Sequence, residues 1–316
     1  MKKLPVWGLL SSLAFLSFWF LCQKSEKFPE LEKVKIYSMD GYKVPTFASN
    51  DRRYTNHWEN RPSSEVKHLV IHITTCDLKD TLETFTDKRD LQKDGWTSAH
   101  YVLTEDEIKK IKGGEIICVV PESKLARHAG VSYWRGEEKL NKRSVGIELV
   151  NTSMPDEFAS GAQQKIQWKP LDQKQMDSLG KLCQHIIKRY SIKPHNIIGH
   201  SDIAYARPNG QGKIDPGPLF PWGKMYTKYG IGMWLTQKEL KEAKKHIGSQ
   251  FDMALFLQCL QKIGYKTPLN AKEVEKLVYV FQCHFSQNQN SEKCTGIPTA
   301  EDFLWAYGLS QKYQKG

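Results

Sequence analysis

Lys67-His68-Leu69-Val70-Ile71-His72-Ile73 is the stretch that decides the fold. It is a β-rich, apolar run with the length of one strand. Four further runs of this kind follow along the chain, at residues 99–103, 115–120, 144–150 and 196–200. Together these runs predict a central β-sheet.

A helix is predicted between the last two strands. Residues 172–190 carry apolar side chains at helical spacing, Asp172 can cap the start, and Pro194 ends the helix. The strand–helix–strand order predicts an α/β fold in which a mixed central sheet is flanked by helices. Residues 201–224 are rich in Pro and Gly and predict a long loop, which in a compact domain is usually functional or disordered.

A small helical unit is predicted after a turn near Gly230. Residues 235–247 indicate a lysine-rich linking helix, and shorter helices are expected at 251–263, 272–285 and 299–307. The chain therefore divides by prediction into four parts. These are a targeting segment at 1–22, a tether at 23–60, a catalytic domain at 61–230, and a three-helix unit with its linker at 231–316.

The first 22 residues carry the targeting signal. Lys2 and Lys3 precede an apolar run at 6–21, as in a signal sequence or an uncleaved anchor. At about 16 residues, this run is close to the lower limit for spanning a bilayer. Cys22 leaves three alternatives open: acylation of its thiol, a retained anchor, or simple cleavage. All three place the rest of the chain in the cell envelope, facing the periplasm or the exterior, and the first two attach it to the membrane.

Length and charge limit the classes of partner that the protein can have. The chain has 316 residues, of which 40% are apolar, and a formal net charge of +11. The positive charge favours nucleic acid, anionic lipid or cell-wall polymer, although a solvated basic surface explains it equally well. No stacked-aromatic motif and no Lys/Arg block of five or more occurs. We therefore expect no nucleic-acid partner.

The seven cysteines argue against a cysteine metal site, because no CxxC occurs. In the first domain, three cysteines beside apolar residues predict single buried thiols: Cys76, Cys118 and Cys183. In the helical unit, Cys259, Cys283 and Cys294 cluster, and one pair among them is a candidate for a bridge.

Three residues are of the types that hold a catalytic zinc ion: His72, His200 and Asp215. Such a site has three protein ligands and one open position for water. His72 lies near the end of one predicted strand, His200 ends another, and Asp215 lies on the loop beyond. Taken singly, each histidine is more often structural, and an Asp before Pro216 is a common turn cap. The assignment depends on the three residues together.

Two charged residues complete the predicted chemistry. Glu148 lies inside the apolar strand at 144–150, where a carboxylate is costly to bury unless it is paired or used. If it faces the metal, it can take a proton from water and pass it to a leaving amine; the alternative is an edge strand that points Glu148 to solvent. Lys213 places a cation near a developing oxyanion, unless it is an ordinary exposed lysine.

Five phrases occur in the order that a known family shows. They are Val70-Ile71-His72, Ser98-Ala99-His100-Tyr101, Val145-Gly146-Ile147-Glu148, Ile198-Gly199-His200-Ser201-Asp202-Ile203-Ala204 and Lys213-Ile214-Asp215-Pro216-Gly217-Pro218-Leu219-Phe220-Pro221-Trp222. In these phrases the chain resembles the type-2 N-acetylmuramoyl-L-alanine amidases, relatives of the peptidoglycan recognition proteins. The resemblance implies a hydrolase with the mixed α/β fold of these amidases, which cuts the amide bond between N-acetylmuramic acid and L-alanine in peptidoglycan or muropeptides.

The resemblance also implies roles for single residues. One Zn²⁺ ion is implied at His72, His200 and Asp215, with Glu148 and Lys213 catalytic. Substrate contacts are implied for Arg127, His128, Ala129 and Trp134. The chain departs from the family pattern at residues 205–212, where a shorter link is expected. Because these residues flank the site, the sequence determines substrate selectivity less than chemistry.

The helical unit resembles a small peptidoglycan-binding domain at residues 255–260 and 280–285, although a generic helical appendage is an alternative. An anchor, an amidase and a wall-binding domain in this order resemble the envelope-anchored amidases, which implies a monomer bound to the membrane and to peptidoglycan. Truncation near Gly230 is then expected to leave hydrolysis of small muropeptides mostly intact.

Two other functions remain open at this point. A protein that recognises muropeptides without cutting them would lack one or more zinc ligands, whereas all three candidates are present here. An amidase restricted to recycling of anhydromuropeptides in the cytosol would need neither the apolar N-terminus nor the helical unit.

Overall fold

The computed structural model describes residues 57–86, 97–105, 112–152, 167–208, 212–247, 251–285 and 291–314, together with the backbone of 35–37. The strands in these ranges are β1 (Lys35–Tyr37), β2 (Glu59–Asn60), β3 (His68–Ile73), β4 (Tyr101–Leu103), β5 (Ile116–Cys118), β6 (Lys124–Leu125), β7 (Tyr133–Trp134), β8 (Glu137–Glu138), β9 (Ser144–Leu149) and β10 (Ile197–Gly199). The helices are α1 (Leu78–Thr86), α2 (Gln173–Tyr190), α3 (His200–Ala204), α4 (Trp222–Tyr229), α5 (Gln237–Ile247), α6 (Met253–Ile263), α7 (Ala271–Phe285) and α8 (Ala300–Tyr313).

Six strands form one mixed sheet in the order β1-β5-β4-β9-β3-β10. β4, β9, β3 and β10 are parallel, whereas β5 and β1 are antiparallel additions at one edge. The predicted α/β fold with a mixed central sheet and flanking helices is confirmed. Parallel strands are usually covered on both faces, and β3 and β9 are accordingly buried along their whole length.

Alternate residues of β3 serve the two faces of the sheet. Leu69, Ile71 and Ile73 pack in the core cluster that α2 covers, whereas Val70 belongs to the cluster on the opposite face. Because side chains alternate along a strand with a period of two, His72 lies on the same face as Val70.

The predicted helix at 172–190 is present as α2. The carboxylate of its N-cap, Asp172, accepts a hydrogen bond of 2.8 Å from the Gln175 N–H, which satisfies one of the free donors of the first turn. Leu179, Leu182 and Ile186 on its apolar side are fully buried. Each such side chain contributes about 1.5–3 kcal/mol, so packing on the sheet holds α2 in place.

The C-terminal helices pack on the sheet face opposite α2. Phe256 of α6, Phe281 of α7 and Trp305 of α8 lie in the same core cluster as Val70 of β3 and Trp134 of β7. The two units that the sequence separates near Gly230 therefore share one hydrophobic core. The boundary itself stays a prediction.

Three details differ from the sequence prediction. The long loop predicted at 201–224 is interrupted by α3 and by the start of α4. His200 does not end a strand: β10 ends at Gly199, and His200 opens α3, whose first turn is capped when the Asp202 carboxylate accepts the Gly199 N–H at 2.7 Å. The last helix continues beyond the predicted end at 307 to Tyr313, because Leu309 and Tyr313 pack in the core.

No disulfide bond forms among the cysteines that the structure describes. Cys118 and Cys183 are buried and Cys76 is half-buried. The bridge considered in the helical unit is not formed among Cys259, Cys283 and Cys294.

Across the part of the chain that the structure describes, no helix has both the length and the apolar character needed to cross a bilayer. The targeting segment at 1–22 with Cys22, and most of the tether at 23–60, lie outside the described residues. The targeting segment stays a prediction, whereas the predicted tether contains β1, which pairs with β5 at the edge of the sheet.

Candidate metal centre and cleft

Strand register brings two of the predicted site residues together. His72 in β3 is the direct partner of Glu148 in β9, and direct partners on neighbouring strands point to the same face. Nδ1 of His72 lies 3.9 Å from Oε1 of Glu148. β9 is a central strand, so the alternative in which Glu148 points to solvent from an edge strand does not hold.

The junction between β10 and α3 positions the other two candidate ligands. His200 directly follows Gly199, the last residue of β10, and the Ser201 N–H donates to the Asp215 carbonyl oxygen at 2.8 Å. A Cβ atom at Gly199 would lie 2.6 Å from Cδ of Pro216. Only glycine therefore allows the segment that carries Asp215 to approach the end of β10 this closely.

Three ligand atoms converge at one point. Nδ1 of His72 lies 3.0 Å from Nδ1 of His200, and Oδ2 of Asp215 lies 3.3 Å and 3.2 Å from these two nitrogens. Atoms bonded to tetrahedral zinc at about 2.0–2.1 Å lie ~3.3 Å apart. The donor set therefore fits one zinc ion with an open fourth position. Among the described residues, no other group of His, Cys, Asp and Glu side chains meets this test.

The protonation states in this centre suit a metal cation. Burial, followed by the charge of His200, lowers the pKa of His72 to about 4. Burial alone would raise the pKa of Asp215, but His200 and His72, whose Nδ1 atoms lie 3.2 Å and 3.3 Å from its carboxylate, hold it well below its usual range. At neutral pH, His72 is therefore a neutral imidazole and Asp215 a carboxylate, as metal ligands must be.

A chain of hydrogen bonds determines which nitrogen of His72 is free. The Leu140 carbonyl can only accept, so the Ser144 hydroxyl donates to it at 2.7 Å. The Ser144 oxygen then accepts from Nε2–H of His128 at 3.0 Å. Burial keeps the pKa of His128 well below its usual range, so its neutral ring accepts at Nδ1 from Nε2–H of His72 at 3.0 Å. This leaves a lone pair on Nδ1 of His72, which faces the other ligands.

His128 and Ala129 therefore support the ligands. The sequence predicted that both contact substrate, and for His128, which also lines the cleft over the centre, this stays a prediction. His128 is 4% exposed and Ala129 is fully buried. The Ala129 carbonyl lies 3.3 Å from Nε2 of His200 and accepts a bond of 3.1 Å from Arg207. Ser144 and Arg207 also support the centre, and neither is predicted from the sequence. Arg207 lies within the segment 205–212, where departure from the family pattern was the available signal.

Glu148 and Lys213 differ in their surroundings. Burial, followed by the charge of Asp215, raises the pKa of Glu148 to about 8, while the charge of Lys213 opposes this shift. Lys213 is exposed, and its backbone N–H donates to the Ala204 carbonyl at 2.9 Å. Both side chains lie on the wall of the same cavity.

This cavity has a volume of about 1040 Å³ and opens over the candidate metal centre. Glu148, His200 and Asp215 form part of its wall. Arg127 also lines it, as an exposed side chain that pairs with Glu59. The predicted substrate contact of Arg127 stays a prediction.

Trp134 does not line the cavity with these residues. Its side chain is fully buried, its indole N–H donates to the His195 carbonyl at 2.8 Å, and its ring meets Tyr265 edge-on with centroids 5.0 Å apart. The predicted substrate contact is therefore replaced by a packing role, because the C-terminal unit covers the ring.

Comparisons with known proteins identify the family of this chain. The family described as N-acetylmuramoyl-L-alanine amidase matches residues 62–218. N-acetylmuramoyl-L-alanine amidase AmiD from Escherichia coli strain K12 is 34% identical over 282 residues, or 88% of this chain and 91% of AmiD. The chain belongs to the N-acetylmuramoyl-L-alanine amidase family. The predicted resemblance and the predicted enzyme class are both confirmed.

Two solved structures extend the amidase comparison beyond the catalytic domain. E. coli AmiD, in complex with the substrate anhydro-N-acetylmuramic acid-L-Ala-D-gamma-Glu-L-Lys, has a TM-score of 0.65 at 31% identity and covers 89% of this chain and 99% of its own. AmpDh3 from Pseudomonas aeruginosa, in complex with anhydromuramic pentapeptide, has a TM-score of 0.67 at 29% identity and covers 85% and 98%. Coverage this wide includes C-terminal helices as well as the amidase fold.

Proposed function

We propose that this amidase hydrolyses the bond between N-acetylmuramic acid and L-alanine with one zinc ion held by His72, His200 and Asp215. The observation that carries the proposal is the convergence of their three ligand atoms, 3.0–3.3 Å apart, on the wall of a cleft. Glu148 lies 3.9 Å from one of these atoms, so a proton carrier adjoins the same point.

The residues around the centre divide the reaction between them. When bound, zinc supplies a Lewis acid for the scissile carbonyl and for the attacking water. Glu148 takes a proton from that water and returns it to the L-alanine nitrogen as the amide bond breaks. Its pKa, raised by burial to about 8, is close to neutrality, where one group can accept and release a proton. Lys213, on the cleft wall, balances negative charge that develops on the carbonyl oxygen.

The cleft suits an anionic muropeptide. Arg127, Lys142 and Lys213 all contribute to its wall, and the stem peptide of the substrate bound to AmiD contains a γ-linked glutamate, whose free carboxylate such cations attract. The structures of AmiD and AmpDh3 with anhydromuropeptides support the same substrate class for this chain.

We also propose a location and a second ligand. Lys2, Lys3 and the apolar run at 6–21 support attachment to the membrane, with the catalytic domain in the cell envelope and facing the periplasm or the exterior. The phrases at 255–260 and 280–285 support binding of the C-terminal unit to peptidoglycan. The chain acts as a monomer in this scheme.

Metal content and product analysis test the proposal together. Purified protein is expected to contain close to one zinc per chain, to lose hydrolysis with a strong chelator, and to regain it when zinc is restored. His200→Ala is expected to lose most of the metal, while His185→Ala, at an exposed position of α2, keeps it. Full zinc and full activity in His200→Ala would show that the site is assigned wrongly.

Digestion of defined muropeptides, with and without the 1,6-anhydro ring, tests the substrate. Mass spectrometry should show release of the intact stem peptide. Binding without cleavage by the zinc-loaded chain would favour a recognition protein instead. Cleavage confined to the anhydro form would favour the recycling enzyme.

A further inference from the structure

Asp202, two residues after the candidate ligand His200, is buried in a network that the catalytic cleft does not use. Its side chain is 1% exposed and accepts three hydrogen bonds. One, of 2.7 Å, comes from the Gly199 N–H. The others come from the Tyr265 hydroxyl at 2.6 Å and from Nδ1 of His284 at 2.7 Å. A carboxylate buried this deeply is tolerable only because all three donors are present.

Two of these three donors belong to the C-terminal unit. Tyr265 follows α6 and packs edge-on against Trp134, and His284 lies near the end of α7. The imidazole of His284 stacks on the indole of Trp222, with ring centroids 3.9 Å apart and an interplanar angle of 12°. The donors are thus held by packing on both sides of the domain boundary.

The third donor connects Asp202 to the ligands. Gly199 lies between Pro216 and Trp222. A Cβ atom at this position would be 2.6 Å from Cδ of Pro216 and 3.4 Å from the Trp222 ring. The Asp202 carboxylate thus holds Gly199 next to the residue that follows Asp215. A short helix such as α3 has little stability of its own. The orientation of the His200 side chain therefore depends on these contacts.

We propose that Asp202, Tyr265 and His284 are positioning residues through which the C-terminal unit holds His200 and Asp215 in ligand geometry. Zinc affinity then depends on a part of the chain that supplies no ligand. The inference rests on the proposed zinc function.

The full-length chain with Tyr265→Phe tests this inference. The variant keeps the ring against Trp134 and removes only the hydroxyl that donates to Asp202. Loss of a group that orients a ligand typically costs about 10- to 100-fold in metal affinity, and we expect a loss of that size in competition with a chromophoric zinc chelator. The matched control is Tyr313→Phe, which removes a hydroxyl of the same unit that bonds to Trp234 and not to Asp202. It should retain wild-type zinc affinity.

Two variants of His284 separate hydrogen bonding from packing, since both lose the stacked ring. His284→Asn keeps a donor close to the position of Nδ1, whereas His284→Leu has none. We expect Asn to keep zinc affinity near that of the wild type and Leu to lose it as Tyr265→Phe does, with metal-free melting temperatures recorded for all variants.

Wild-type zinc affinity in Tyr265→Phe would overturn the inference, and so would equal losses in Tyr265→Phe and Tyr313→Phe. A wild-type chain that binds no zinc would instead overturn the proposed function. The two failures are therefore distinguishable in one titration series.

Discussion

Glu148 is a carboxylate within a fully buried central strand, and its surroundings account for the role proposed for it. It is 8% exposed and faces the three candidate ligands without being one of them. We predict that Glu148→Ala keeps its zinc and its fold while kcat on a defined muropeptide falls about 10²- to 10⁴-fold, the usual share of acid–base catalysis. Steady-state kinetics and metal analysis on the same preparation measure both properties.

Glu138 provides the control for Glu148. It also lines the cavity, but on an exposed part of the wall. Glu138→Ala should leave kcat close to that of the wild type. An unchanged kcat in Glu148→Ala would eliminate Glu148 as the proton carrier.

Ser144 is connected to the candidate ligand His72 by two hydrogen bonds, through His128. Without its hydroxyl, Nε2–H of His128 has no acceptor in the chain that leads to His72. We predict that Ser144→Ala weakens zinc binding by about 10-fold, the lower end of the effect of losing a ligand's own hydrogen-bond partner, because Ser144 orients His128, which is that partner of His72. Competition titration with a zinc chelator measures this change.

Ser132 is the matched position for Ser144. Ser132 is also buried, and its hydroxyl oxygen accepts a hydrogen bond of 3.1 Å from the Leu140 backbone N–H. Its hydroxyl donates to the Gly130 carbonyl and not to His128. Ser132→Ala should bind zinc as the wild type does. Equal zinc affinities in Ser132→Ala and Ser144→Ala would show that the hydrogen-bond chain does not affect zinc binding.

At the scale of elements, the site is formed by three parallel strands and one short helix. β9 carries Glu148, β3 carries His72, and β10 ends where α3 begins with His200. The junction after β10 tolerates no side chain at Gly199. We predict that Gly199→Ala lowers the free energy of unfolding by about 1–3 kcal/mol, the usual effect of overpacking, and also lowers zinc affinity. Chemical denaturation and zinc titration measure the two effects.

Gly223 in α4 separates overpacking in general from overpacking at the junction. A Cβ atom there would lie 2.9 Å from the Trp234 ring, away from the ligands. Gly223→Ala should lose stability without losing zinc affinity. If Gly199→Ala binds zinc as tightly as the wild type, the junction does not control ligand geometry.

At the scale of the whole molecule, the shared core changes the expectation for truncation near Gly230. Val70, Ile198 and Trp134 of the catalytic domain are buried in one cluster with the C-terminal helices. Removing those helices exposes several apolar side chains, each worth about 1.5–3 kcal/mol, against a total stability of about 5–15 kcal/mol. The structure therefore argues against the sequence-based expectation that truncation leaves hydrolysis of small muropeptides mostly intact.

We predict that a chain ending at residue 230 melts at a lower temperature than the full chain, retains less zinc, and hydrolyses soluble muropeptides more slowly. Thermal unfolding by circular dichroism, metal analysis and product release from one defined muropeptide measure the three properties. Wild-type values in all three would show that residues 61–230 fold and act independently, as the sequence alone suggested.

The sequence by itself determined five of the six strands of the main sheet, α2 and the candidate ligands, whereas β1 lies in residues that were predicted as a tether. Apolar runs of strand length predicted β3 and β9, and Asp172 marked the start of α2 to within one residue. These features are local, because side-chain periodicity and capping depend on residues a few positions apart. The ligand types and the family phrases identified His72, His200 and Asp215 in the same way, from residues read in order.

Only the tertiary structure decided which side chains support those ligands and what covers the sheet. His128, predicted only as a substrate contact, also bonds to His72, and Trp134, predicted as a substrate contact, is fully buried against Tyr265. His72 lies 56 residues from His128, and Asp202 lies 82 residues from His284. No local pattern encodes contacts at such separations, because they depend on strand register and on how two apolar faces pack together.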